Sequence, residues 1–241
     1  MTYEELLRAP VKIHAGRTLT WGISRDVADL LHTTATAQSV TLETGSGRST
    51  LVLLHAGVAR HFAVQPSADE FSAIREFCAA NGIGAGPLEA VVARSQDYLP
   101  HATLPPLDIV LIDGAHAFPY PFLDWHFTAG ALKSGGLLIV DDVQIATGAI
   151  LADFLDAEAG WSRIARTGRF AAFRRGTASV SPSQDWKGQP YLTRHYPTSR
   201  VELIREQPKS AVERAAGQYL PWRVQAWLRE RYRWPRPSWV D

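Results

Sequence analysis

Short apolar runs recur between residues 39 and 175, separated by stretches in which apolar residues return every three or four positions. Runs of that length read as buried strands, and the longer spacing reads as helices. The runs Ser39–Leu42, Phe62–Val64, Leu88–Ala93, Leu107–Ile112 and Leu137–Val140 predict five strands. Trp161–Arg166 and Phe170–Arg174 predict two more, close enough together for a hairpin. Helical segments fall between them: Ser49–Val58, the stretch carrying Phe71, Ile74, Phe77 and Cys78, then Pro121–Leu132 and Ile145–Glu158. Ahead of these, Ser24 is a fitting N-cap for a helix through Val27, Ala28, Leu30 and Leu31 that ends near Thr33. Alternating strand and helix signals predict an α/β fold. Its doubly wound, mostly parallel seven-stranded sheet has helices on both faces. The closing hairpin makes one edge strand antiparallel. The near-continuous apolar character of 107–112 and 137–140 predicts burial on both faces of the sheet.

Composition changes this picture only at the ends. Of 241 residues, 46% are hydrophobic and 20% charged, which fits a globular chain with an ordinary core. The single cysteine, Cys78, excludes an internal disulfide framework and a cysteine-based zinc site, and it fits a reducing compartment. Met1–Arg8 carries Glu4 and Glu5 rather than a basic-then-apolar leader, and no apolar run of about 18 residues offers a membrane span. The expected location is the cytoplasm. The net charge of +1 conceals a balance of −4 over residues 1–180 and +5 over 181–241. Trp222, Trp227, Trp234 and Trp239 crowd the last 20 residues. With Ser181-Pro182-Ser183 as a seam, the chain divides into an N-terminal helical segment (1–37), an α/β domain (38–180) and a basic, Trp-rich C-terminal extension (181–241). In that extension Leu220, Val224, Trp227, Leu228 and Tyr232 form one helical stripe, with Arg223, Arg229, Arg231 and Arg233 around it. Such a helix can dock on the core or on a partner copy, or serve as a lid or homodimer arm. Membrane-surface or nucleic-acid binding ranks third, because +5 over 61 residues is modest.

In a doubly wound sheet, ligands bind beyond the carboxyl ends of the strands. The chemistry-bearing residues fall there. Glu43–Thr50 (ETGSGRST) follows the first strand and opens a helix. Gly45 and Gly47 permit a tight turn and close backbone approach, with Ser46 between them, and the helix N-terminus behind them suits an anionic group. The run is not a P-loop, and Thr50 stands where a full dinucleotide fingerprint has its third glycine. Gln65 ends the second strand, 22 residues after Glu43, where nucleotide-binding folds commonly place an acid for the ribose. Ser95, Gln96 and Asp97 follow the third strand. They can reach an adenine edge, although capping a short helix is the commoner role of Ser and Asp. Asp113, followed by Gly114, Ala115 and His116, ends the fourth strand, and Asp141-Asp142 ends the fifth. Three carboxylates converging there would repel unless a hard divalent cation joins them or an arginine pairs with them. His116 is the best-placed general base.

Taken together, these segments resemble the class I S-adenosylmethionine-dependent methyltransferases over about Ser39–Arg174. ETGSGRST resembles the motif that contacts the methionine end of the cofactor, VQPS (64–67) the ribose segment, and RSQDYLP (94–100) the adenine segment. LDIVLIDGAH (107–116) and LKSGGLLIVDD (132–142) resemble the fourth and fifth strands with their motifs. The DG-x-H sequence followed by a paired acid is similar to bacterial small-molecule methyltransferases of the macrocin O-methyltransferase type. The resemblance implies a Rossmann-like fold and S-adenosylmethionine held by Glu43, Gly45, Ser46, Gly47, Gln65, Ser95, Gln96 and Asp113. It also implies Mg²⁺ on Asp113, Asp141 and Asp142, His116 as the base, and a small hydroxylated molecule as methyl acceptor. Phe118, Tyr120 and Trp125 are available to line an acceptor pocket. Gln65 in place of an acid, and Ala115 in place of a base, motivate a second reading as a cofactor-binding or scaffold protein. A nicotinamide-dependent oxidoreductase is a third.

Overall fold

The computed structural model describes residues 1–10, 13, 22–178 and 189–195. The C-terminal stripe, its arginines and the Ser181–Ser183 seam lie outside the described residues. The chain divides into two compact units, Met1–Tyr191 and Leu192–Asp241, and the site lies in the first.

The strands are β1 (Val40–Thr44), β2 (Arg60–Val64), β3 (Leu88–Val91), β4 (Leu107–Ile112), β5 (Leu132–Val140), β6 (Trp161–Arg166) and β7 (Ala171–Arg175). They form one sheet in the order β3-β2-β1-β4-β5-β7-β6. The first five pair in parallel, while β7 runs antiparallel to both β5 and β6. The expected hairpin therefore closes this end of the sheet with its inner strand reversed. The strand order reverses direction between β1 and β4, the switch point at which such sheets bind ligands.

Eight α-helices are described: α1 (Tyr3–Arg8), α2 (Arg25–Thr34), α3 (Arg48–His55), α4 (Ala68–Asn81), α5 (Ser95–Tyr98), α6 (Tyr120–Ala129), α7 (Ala146–Ala157) and α8 (Pro190–His195). Ser24 caps α2 by accepting from the Val27 N–H at 3.3 Å. No described helix is long and apolar enough to cross a membrane.

Period-two alternation explains the two-sided core. In β4, Ile109 and Leu111 join Leu51, Leu53 and Ile74 from α3 and α4, whereas Val110 and Ile112 join Trp125, Leu151 and Leu155 from α6 and α7. Each such fully buried aliphatic side chain contributes about 1.5–3 kcal/mol.

One boundary departs from the sequence reading. The helix expected over 121–132 ends at Ala129, and β5 begins at Leu132 rather than Leu137. The Leu107 N–H donates to the Ala131 carbonyl at 2.8 Å, which draws this segment into the ladder before Gly135 (φ 79°) and Gly136 break the register. At Gly136 a Cβ would lie 2.7 Å from the Leu132 side chain, so the fold-back needs glycine there.

Candidate active site

The strand ladder delivers the candidate residues to one edge. Gly45 N–H donates to the Val64 carbonyl, Asp113 N–H to that of Thr44, Asp141 N–H to that of Ile112 and Gln65 N–H to that of Val91. The ends of β1, β2, β4 and β5 are thus level, and a cavity of about 1000 Å³ opens above them. Gly45, Ser46, Gly47, Gln65, Ser95, Gln96, Asp113, His116, Asp141 and Asp142 all line it.

Glu43 stands apart from that group. It is fully buried and absent from the cavity lining. Its Oε1 accepts a short hydrogen bond from Thr50 and lies 3.0 Å from His61 Nε2, while Oε2 is buried with no partner. His61 Nδ1 in turn lies 2.9 Å from Thr41 Oγ1. Thr50, where a third glycine would stand, also accepts from the Gly47 N–H at 2.9 Å. Glu43 therefore braces the glycine turn from below. No sequence pattern singled out His61.

On the β2 side, Gln65 Nε2 donates to Glu70 Oε2 at 2.9 Å, and Ser46 Oγ donates to the same oxygen at 3.3 Å. Glu70 also lines the cavity and was missed by the sequence reading. A carboxylate in the first turn of α4, five residues past Gln65, was the available signal.

The capping role weighed for Ser95 and Asp97 is not realised. Arg94 is the N-cap of α5 and makes no side-chain cap bond, while Asp97 pairs with Arg94 at 2.7 Å. The Ser95 hydroxyl, with that of Thr44, faces Asp124 of α6, a carboxyl only 1% exposed. Burial raises the Asp124 pKa, and those two hydroxyls offset the rise only in part.

The acidic end differs in detail from the expected trio. Among the described residues, Asp113, His116 and Asp142 place one ligand atom each within 4.8 Å of one another. Asp141 is not in this set. Its Oδ1 is buried without a partner. Asp142 has φ 52°, a left-handed conformation that Asp tolerates, and this turns the chain immediately after the strand. Its Oδ2 lies 3.2 Å from His116 Nε2, and its Oδ1 accepts from Gln144 at 2.5 Å and Arg169 at 3.4 Å. Arg169 reaches the cavity from the β6–β7 turn, where Thr167 Oγ1 accepts from the Arg169 and Phe170 N–H groups. The His116 carbonyl accepts a short hydrogen bond from Thr147 of α7, which anchors its loop. Burial, reinforced by the charges of Asp141, Glu43 and Asp142, pushes the Asp113 carboxyl well above the usual carboxylate range. Burial likewise pushes Asp141 up to about 6.

Phe118, Tyr120 and Trp125 do not line the cavity. Trp125 is buried edge-on against Phe154 in the core, and Phe118 is 73% exposed. Apolar packing under α6 claims the first, and the loop ahead of α6 turns the second outward.

This edge of a doubly wound sheet, with a glycine turn and paired acids at the switch point, defines an α/β methyltransferase fold. Residues 42–143 match the family model described as a methyltransferase domain. The O-methyltransferase TomG of Streptomyces achromogenes, involved in tomaymycin synthesis and solved in complex with S-adenosylmethionine, is 20% identical. It superimposes with a TM-score of 0.58 over 73% of this chain and 91% of its own. A methyltransferase from Geobacter sulfurreducens is 17% identical, with a TM-score of 0.53 over 64% of this chain and 80% of its own. The cofactor-bound protein Rv0187 from MTB is 21% identical, with a TM-score of 0.53 over 65% and 83%. No curated protein sequence matches the chain.

Proposed function

We propose that the protein transfers a methyl group from S-adenosylmethionine to a hydroxyl of a small molecule, with help from a divalent cation. The observation that carries this reading is the meeting of the glycine turn, Gln65, Ser95, Gln96 and the Asp113–His116–Asp142 group around one cavity.

The residues fit both groups. For the cofactor, the glycine turn lets a ligand approach closely, and the N-terminus of α3 behind it offers backbone donors and a partial positive charge to a carboxylate. For the cation, crowded carboxylates with a buried, unpartnered Asp141 oxygen form an anionic site that a hard ion would neutralise. Asp113 and Asp142 would hold the ion, with Asp141 behind them. When bound, the cofactor supplies an activated methyl group on sulfonium, and the cation supplies Lewis acidity toward the acceptor oxygen.

The chain's own residues do the rest. The glycine turn and the β2, β3 and β4 ends fix the cofactor so that the acceptor oxygen can lie in line with the methyl group, a proximity effect. The 3.2 Å contact with Asp142 orients His116. With Nε2–H donating to Asp142, Nδ1 is the atom that takes the hydroxyl proton as the oxygen–methyl bond forms and the sulfur–methyl bond breaks. The products are a methyl ether and S-adenosylhomocysteine.

The test is transfer of labelled methyl to a panel of hydroxylated aromatic and sugar acceptors, with and without EDTA. Transfer to oxygen that EDTA suppresses and Mg²⁺ restores is the expected result. Tight binding of S-adenosylhomocysteine without transfer to any acceptor would leave a cofactor-binding protein instead.

A further inference from the structure

Among the described residues, three arginines line the cavity, and two of them are committed elsewhere. Arg48 donates to the carbonyls of Leu6, Leu7 and Ala9, and Arg94 pairs with Asp97 at 2.7 Å. Arg169 is held loosely. Among the described residues its guanidinium has one partner, Asp142 Oδ1 at 3.4 Å, and its side chain is 55% exposed. A long, half-exposed pair of this kind contributes little, so it exchanges readily for a better one. Asp142 does not depend on it. Gln144 donates to the same oxygen at 2.5 Å, and His116 lies 3.2 Å from the other. The backbone of Arg169, by contrast, is fixed. Its N–H donates to Thr167 Oγ1 at 3.1 Å, and its carbonyl accepts from the Val143 N–H at 2.9 Å, one residue past Asp142. The β6–β7 turn thus presents a cation with little to bind at the acidic end of the cavity.

Resting on the methyl-transfer reading above, we infer that Arg169 selects the methyl acceptor, which is a small hydroxylated carboxylic acid with an apolar body and binds Arg169 through its carboxylate. The geometry of the guanidinium supports a carboxylate. Its planar fork presents paired N–H groups that match two carboxylate oxygens, and one long contact to Asp142 leaves such a pair unused. Its place in the sheet supports the acceptor rather than the cofactor. The strand order β3-β2-β1-β4-β5-β7-β6 puts the β6–β7 turn beside β5, across β4 from the glycine turn, Gln65 and Ser95. On that side Arg169 shares Asp142 with His116, the base of the proposed reaction. Ile145 supplies the apolar surface. It lines the cavity, is 36% exposed, and its N–H donates to the Asp142 carbonyl at 2.9 Å, so isoleucine and arginine flank one aspartate. General basicity of the hairpin does not account for Arg169. Arg163 and Arg166 pair with Asp156 and Asp153 of α7, and none of these four lines the cavity.

The experiment is calorimetry on the full chain saturated with S-adenosylhomocysteine. The probes are 3,4-dihydroxybenzoate and 4-hydroxyphenylacetate, each compared with its neutral primary amide. The proteins are the wild type, Arg169→Gln, Arg169→Lys and the control Arg163→Gln, which removes a charge outside the cavity. In the wild type at least one acid binds about ten- to a hundredfold more tightly than its amide. Arg169→Gln brings acid and amide within about twofold of each other by weakening the acid alone. Arg169→Lys keeps part of the preference, because it keeps the charge and loses the fork, and Arg163→Gln keeps all of it. No binding of either acid to the wild type, or equal affinity for acid and amide, overturns the inference. Equal weakening of acid and amide in Arg169→Gln also overturns it and makes Arg169 a brace for Asp142. An equal loss of preference in Arg163→Gln assigns the effect to general charge and overturns it as well. Failure of the wild type to bind S-adenosylhomocysteine overturns the cofactor reading itself. An acid that binds as expected but receives no labelled methyl overturns the proposed reaction, while selection by Arg169 stands.

Discussion

A Cβ atom at position 45 would lie 2.5 Å from the carbonyl oxygen of Asp113. Gly45 has φ 96°, so the first glycine of the turn is required both by its own backbone and by the strand across the switch point. The glycine turn and the acidic end of the site therefore share one contact. Gly45→Ala is expected to cost about 1–3 kcal/mol in strain alone and to displace the β4 end. Urea unfolding and S-adenosylhomocysteine calorimetry should both register it. A variant as stable as the wild type that binds the ligand equally well would show that the two strand ends can move apart freely.

His61→Phe removes the only side-chain partner of Glu43 besides Thr50 among the described residues. Leaving that carboxylate buried beside an apolar ring is expected to cost about 3–5 kcal/mol. Because Glu43 lies outside the cavity lining, the loss should appear mainly in unfolding rather than in ligand affinity. A cost under about 1 kcal/mol would mean that Glu43 and His61 contribute little as a pair.

Asp124 sets a pH dependence whose sign follows from burial. Its folded pKa is raised by desolvation, so between the unfolded value near 4 and the raised folded value the native state binds the extra proton. Stability from this group is greatest at low pH and is lost as pH rises through that window. Asp124→Asn removes the titration while keeping the size and shape of the side chain. The variant should gain on the wild type as pH rises from 4 to 8 in parallel melts. A stability difference independent of pH would count against the assignment.

Arg48 ties the N-terminal helix to the glycine turn. Its guanidinium donates to the carbonyls of Leu6, Leu7 and Ala9, the unsatisfied end of α1, while its backbone begins α3. Arg48→Ala is expected to lose about 1.5–3 kcal/mol of local stability. Hydrogen exchange should quicken in α1 while the β1 and β4 amides keep their protection. Uniform quickening across the sheet would instead show that α1 unfolds only with the whole domain.

Cation binding should depend on the carboxylates in the ligand group rather than on overall charge. Mn²⁺ titrated by calorimetry is expected to bind the wild type and to bind Asp113→Asn or Asp142→Asn at least about tenfold more weakly. The control Asp108→Asn, whose carboxylate pairs with Lys133 on the surface, should match the wild type. Equal weakening in all three variants would point to general electrostatics and away from a site.

Most of the element order was legible because burial on two faces leaves a one-dimensional trace. Leu107–Ile112 is apolar but for Asp108, and the structure returns a strand with the same bounds. The boundary at 129–132 was not legible, because Ala131 and Leu132 suit a helix by propensity. Only the bond from Leu107 to Ala131 draws them into the sheet. Of the residues expected to hold cofactor, metal or proton, all but Glu43 line the cavity, whereas Asp97 and the aromatics Phe118, Tyr120 and Trp125 do not. Glu43 sits on a strand whose neighbour, β2, supplies a buried histidine, and that pairing is a matter of register.

The chain alone thus determined what depends on local pattern: an alternating α/β domain, a glycine turn after the first strand, and acids after the fourth and fifth. Tertiary structure decided which of those groups face one another. Glu70 meets Gln65 because α4 begins within a turn of the β2 end. His116 rather than Asp141 meets Asp113 and Asp142, because Asp142 enters the left-handed region and turns the chain immediately after the strand. Hydrophobic periodicity records which way a side chain faces within its own element. Contacts between elements depend on register and turn geometry, which a linear pattern does not encode.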